Sequence, residues 1–199
     1  MANYNAIKYN VSWANAGGLK LIKTLTASSS ATLSFEDGSS SVILDSTYKE
    51  YLFIFNNIHG ATEDAEFNFQ GSTDTGSSYG VTITSTAFQA NHTEGDSVYG
   101  PAYNGSWDLA QSTSYQNLFN NLDADNDESL SGYLHLFNPS STTFVKHFMS
   151  RIAGVTSADA AQDDYRAGYF NTTSAIDAIQ FKMSSGNIDA GTIQLFGVV

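Results

Sequence analysis

Cysteine is absent from the 199 residues, which excludes disulfide stapling and thiolate metal sites. Basic side chains are scarce: eight Lys and Arg stand against 20 Asp and Glu, for a net charge of −12. Neutralising phosphates takes clustered Lys and Arg, so neither nucleic acid nor an anionic membrane is an expected partner. Charged residues of both signs reach only 14%, below the ~25% of ordinary soluble domains. No stretch approaches the ~18 apolar residues of a membrane helix. The opening MANYNAIKYNVSWANAGG also lacks the ~7–15-residue apolar segment of a signal peptide. A chain that is soluble as made is expected.

Ser, Thr, Asn and Gly take the place of charge, and 11 Tyr and 13 Phe accompany them. The first group weakens helices and favours turns; the second suits pleated, half-buried surfaces. Period-2 alternation appears in Leu19–Leu25, Glu66–Gln70 and Val81–Phe88, and Ala31–Phe35 reads as a short strand. Val42-Ile43-Leu44 reads as a further short piece. Tyr51–Ile58 (YLFIFNNI) is nearly all apolar at first, which predicts a strand buried on both faces. Tyr115, Leu118, Phe119 and Leu122 fall at helical spacing and predict one or two helical turns. Ser131–Phe137 and Thr142–Met149 flank Asn138-Pro139-Ser140-Ser141 and read as a hairpin. Ile176–Ser184 and Thr192–Val198 flank a second turn. Nine or ten strands without βα alternation predict an all-β fold: an antiparallel two-sheet β-sandwich, jelly-roll-like, with an extended N-terminal arm. The expected organisation is an arm over residues 1–18 and a single β-sandwich domain over 19–199.

Charge divides the chain unevenly. The first 35 residues hold Lys8, Lys20 and Lys23 and no acid, while the rest carries 20 carboxylates against five basic side chains, +3 against −15. A basic arm dotted with Tyr4, Lys8, Tyr9 and Trp13 on an acidic body suggests docking onto a neighbour. Tyr99, Tyr103 and Trp107 lie on polar loops, where they suit a subunit interface or stacking on sugar rings.

Local catalytic signatures are lacking. There is no GxSxG elbow, no HExxH pair, and Gly71-Ser72-Thr73-Asp74-Thr75-Gly76 has no phosphate-loop Lys. The sequence predicts neither an enzyme nor a cofactor. The most metal-like run is Asp123, Asp125 and Asp127, whose alternating carboxylates can converge on a hard cation such as Ca²⁺. An EF-hand needs Gly at position 6 and Glu at position 12, where this chain has Glu128 and Leu134. A solvated acidic loop is the plainer reading. His135 and His147 lie on the two arms of the predicted hairpin and could approach each other across it.

Several segments resemble a family of small virion structural proteins from tailed bacteriophages, especially phages of marine cyanobacteria. They are LKLIKTLTASSSATLSF (Leu19–Phe35), DSTYKEYLFIFNNIH (Asp45–His59), FNFQGSTDTGSSY (Phe67–Tyr79), LHLFNPSSTTFVKHFM (Leu134–Met149) and AGYFNTTSAIDAIQFKMSSGNIDAGTIQLFG (Ala167–Gly197). The resemblance implies no catalytic motif. With the arm, it predicts a capsid decoration (cement) or head-fibre protein located in the virion and assembled in the host cytoplasm. Expected partners are phage capsid or tail proteins and further copies of the chain, as a homotrimer. The alternative is a tail or fibre component that recognises a host-surface glycan.

Overall fold

A computed structural model describes residues 18–199. The predicted arm, with Tyr4, Lys8, Tyr9 and Trp13, lies outside the described residues but for Gly18. From there the chain forms β1 (Leu19–Thr26), β2 (Leu33–Glu36), β3 (Glu50–Gly60), β4 (Ala65–Ser72), β5 (Ile83–Thr93) and β6 (Val98–Tyr103). It continues as β7 (Gln116–Leu122), β8 (Leu130–Phe137), β9 (Lys146–Thr156), β10 (Ala160–Phe170), β11 (Ala178–Met183) and β12 (Ile188–Val198). Every pairing is antiparallel, and no helix occurs among the described residues.

The strands form one connected sheet. Its main path is β1-β12-β3-β8-β9-β7-β4-β11-β2, and β10, β5 and β6 extend it from β9. Only Leu122 opposite Thr156 joins β7 to β9, so the sheet turns sharply there and folds back on itself, nearly closing as a barrel. The all-β, antiparallel expectation holds. Hydrogen bonding links all twelve strands into a single connected sheet.

Alternation places one side of each strand inside. Tyr51, Phe53 and Phe55 of β3 are buried, and Phe53 and Phe55 meet Phe35, Phe67 and Phe181 from β2, β4 and β11. Phe181 is the hub. Its ring lies 5.3 Å from both Phe53 and Phe55, 5.8 Å from Phe67 and 6.3 Å from Phe35 and Phe69. The loop residues Val42 and Leu44 also enter the core, although they form no strand.

Farther along, the interior becomes polar. Between the buried Ala160 and Phe170, the inward positions of β10 include Gln162, Asp164 and Arg166. Arg166 Nη1 donates to Asp164 at 3.0 Å, and Nη2 donates to Asn117 Oδ1 at 2.8 Å. Gln162 donates to Asp164 at 2.9 Å and to Asn120 Oδ1 at 3.3 Å. Burial raises the Asp164 carboxyl above its usual range against the pull of Arg166. This layer explains one correction: the helical turn expected over Tyr115–Leu122 is strand β7. Its Asn117 and Asn120 are buried partners of Arg166 and Gln162 in β10.

The second turn is present, but the strands that flank it do not pair with each other: β11 pairs with β4 and β2 while β12 pairs with β1 and β3. One further expectation changes. Strand β3 is not buried on both faces: Leu52 and Ile54 point outward and remain half-buried. The Asn138–Ser141 hairpin is present, with β8 against β9 in register.

Truncating Phe181 to Ala should cost about 3–5 kcal/mol, since its cavity borders both limbs of the sheet. Arg166→Ala should cost a similar ~3–5 kcal/mol by leaving Asp164 buried and unpaired, whereas Arg166→Met with Asp164→Leu should recover most of that loss. Urea unfolding of the single and double variants checks both.

Candidate functional site

Two places concentrate chemistry. The first is the corner where β7 leaves the sheet beside the β9–β10 turn. Ser157 N–H donates to the Asn121 carbonyl at 3.1 Å, and Glu128 N–H to the Asp125 carbonyl at 3.0 Å. These contacts bring carboxylates distant in sequence together. One oxygen each from Asp123, Glu128 and Asp159 lies within 4.8 Å of the others. Glu63 joins from the β3–β4 turn, accepting the Ala124 N–H at 3.4 Å. Neither arginine reaches this corner: Arg151 bonds Asp163 and Arg166 bonds Asp164.

Crowded carboxylates share protons. The hydrogen bond to Asp123, then burial and the charges of Asp123, Asp125 and Asp127, push Glu128 up to about 7. The same bond holds Asp123 below the usual carboxylate range. Glu128 Oε2 is shielded from solvent and has no hydrogen-bond partner. A hard cation would find three oxygens here, against the six to eight that Ca²⁺ takes. The trio differs from the predicted Asp123, Asp125 and Asp127. Asp123 is shared, but Asp125 takes part through its backbone, donating its N–H to Asp123 and lying 3.1 Å from His59 Nε2 through its carbonyl. Asp127 lines a neighbouring cleft of about 360 Å³ with His59, Glu128 and Asp189.

The second place is the outer face of the sheet. Register aligns three rows of outward side chains. One runs Thr24, Gln194, Ile54, Tyr133, Arg151, Tyr165, Phe88, Tyr103 across eight strands. The next runs Leu21, Phe196, Leu52, His135, Met149, Ala167, Thr86. The third holds Leu19, Val198, Glu50 and Phe137, then His147, Tyr169 and Thr84. Leu21, Phe88, Tyr133, Met149 and Tyr165 are each 40–50% exposed. The formal charges in these rows are Glu50 and Arg151, which cancel. Glu50 meets His135 at 3.0 Å, and Arg151 meets Asp163 of the adjoining row at 2.8 Å. The Arg151 guanidinium also stacks on Tyr165, 5.1 Å from its ring centre.

The aromatic loop residues separate. Tyr103 joins this face through Phe88, with ring centres 5.3 Å apart, and its hydroxyl donates to the Asp108 carboxylate. Tyr99 is exposed on the same strand, β6. Trp107 is half-buried, and its carbonyl accepts the Gln116 side-chain amide at 2.9 Å. His135 sits opposite Met149 and not opposite His147.

Nothing known matches the chain: no protein-family model, curated protein or solved structure. Glu128 closes the most metal-like run of the sequence; Asp159 as a ligand-type residue and the outer face were not foreseen. The outward Leu52 and Ile54 were its one visible sign.

The acidic corner gives a pH dependence with a definite sign. Because the folded pKa of Glu128 is raised from 4.5 to about 7, its stabilising contribution is full below pH ~4.5 and is lost as pH rises through ~7. Glu128→Gln imitates the protonated form. It should melt with the parent near pH 4.5 and above it at pH ~8, as thermal unfolding across that range would show.

Proposed function

We propose that this chain is a structural protein of a phage virion, a capsid decoration (cement) or head-fibre protein that binds the outer shell. The outer face carries this reading. It is broad, rich in Tyr, Phe, Leu and Met, and free of net formal charge in its three rows, on a chain whose total is −12. Interface cores are enriched in aromatics, Met and Arg and depleted in Lys, Glu and Asp. Wide exposed apolar patches mark interaction sites. The segments resembling virion proteins supply the setting. The basic residues 1–17 would settle on an acidic neighbour by charge complementarity. In the finer fold reading, β1-β12-β3-β8-β9-β10-β5-β6 and β7-β4-β11-β2 are the two sheets of a jelly-roll-like sandwich.

A second reading, a tail or fibre component that recognises a host-surface glycan, is favoured by the edge strand β6. Val98, Tyr99 and Tyr103 are exposed there, and rigid aromatics suit sugar recognition.

Mixing the purified protein with undecorated shells and with host envelope polysaccharide separates the two. Saturable binding to shells, with density for the protein on the icosahedral surface of a reconstructed virion, is expected. Binding to polysaccharide alone overturns the first reading in favour of the second. Deleting residues 1–17 should leave the melting temperature of the body unchanged and weaken shell binding at least ~10-fold. Gly18 is kept because its carbonyl accepts the Val199 N–H at 3.0 Å.

A further inference from the structure

We infer that the outer sheet face, centred on Tyr133, Met149 and Tyr165, is covered by the same face of a second copy of this chain. The inference rests on the assembly reading above and names the partner of that surface. Three observations support it.

The first is the pattern of β3. Tyr51-Leu52-Phe53-Ile54-Phe55 is apolar on both sides, as in a strand buried twice. The monomer buries Tyr51, Phe53 and Phe55 and leaves Leu52 and Ile54 on the outer side. The neighbouring strands continue the same surplus through Phe196, Phe137 and Met149.

The second is charge. Two copies of a chain at −12 repel each other over most of their surface. The three rows are where that repulsion is weakest, because Glu50 and Arg151 cancel and both are locally paired. Long-range repulsion elsewhere therefore favours approach face to face. A strongly basic partner would find a single carboxylate, Glu50, on these rows.

The third is extent. Seven strands at ~4.8 Å spacing and three rows along them give a footprint on the order of 600 Å², before side-chain relief is counted. A standard stable interface covers ~800 Å² of accessible surface on each partner. A sheet face meeting its own copy makes an isologous contact with two-fold symmetry, so the structure favours a pair where the sequence suggested a three-fold ring. Sheets packed this way lie ~10 Å apart and cross at about −30°. In that geometry the Tyr133–Arg151–Tyr165 row of one copy interdigitates with the Leu52–His135–Met149 row of the other.

Sedimentation of the full chain tests this. The parent should run at twice the chain mass at micromolar concentration, and its melting temperature should rise with concentration. Met149→Lys, at the centre, and Leu21→Lys, at the border, change exposed side chains on different strands. Each should keep the parent's circular dichroism. Met149→Lys should weaken pairing at least ~100-fold, and Leu21→Lys should weaken it less. Val98→Lys, exposed on β6 outside the three rows, should leave pairing unchanged. A parent that stays monomeric at about 100 µM, or one that assembles equally well with Lys at both positions, overturns the inference. Pairs that fail to bind shells would sink the virion reading and leave this one standing; monomers that bind shells would do the reverse.

Discussion

A cluster of rings centred on Phe181 holds the two limbs of the sheet together. Phe181 comes from the limb containing β4, β11 and β2, yet it lies as close to Phe53 and Phe55 of the opposite limb as to any neighbour. Between strands of the two limbs the ladder narrows to one pairing, Leu122 opposite Thr156, held by the bonds from Ser157 N–H to the Asn121 carbonyl and from Asp123 N–H to the Val155 carbonyl. Aromatic burial therefore decides how the sheet folds back, and every surface feature inherits its position from that closure. The acidic corner sits where the single pair lets the sheet turn. The outer face is the side of the longer limb that Phe181 does not reach.

The polar layer under β10 shows the second constraint. Arg166 and Asp164 are fully buried, and such a pair adds little net stability beside an apolar replacement. Its hydrogen bonds to Asn117 and Gln162 are directional, however, where phenylalanine packing is not. A one-residue slip of β7 against β10 would break the bonds from Arg166 to Asn117 and from Gln162 to Asn120, so polarity helps to set register at this end.

The same contrast explains what could be read from the sequence. Strands β3 and β4 were legible because their inward residues are Phe and Tyr. Strand β10 was not, because its inward positions include Gln, Asp and Arg, the inverse of the usual pattern. Strand β7 read as helix because Asn and Gln at its buried positions resemble a solvent face. Half of the acidic corner was visible in the run around Asp123. Asp159 was hidden, because only the long β9–β10 pairing returns the chain to that place. The outer face was written into the two-sided apolarity of YLFIF, but deciding which side is free requires knowing the sheet order.

The position of β12 governs when this protein can acquire its structure. Residues 188–198 form the ladder between β1 and β3, so the earliest strands of the described chain are not neighbours until one of the last slides between them. Contacts this far apart in sequence slow folding, because loop-closure entropy is spent before the ladder repays it. During synthesis β1 and β3 must wait with open edges, and a ribosome stalled before Ile188 would hold out two unpaired, apolar strands.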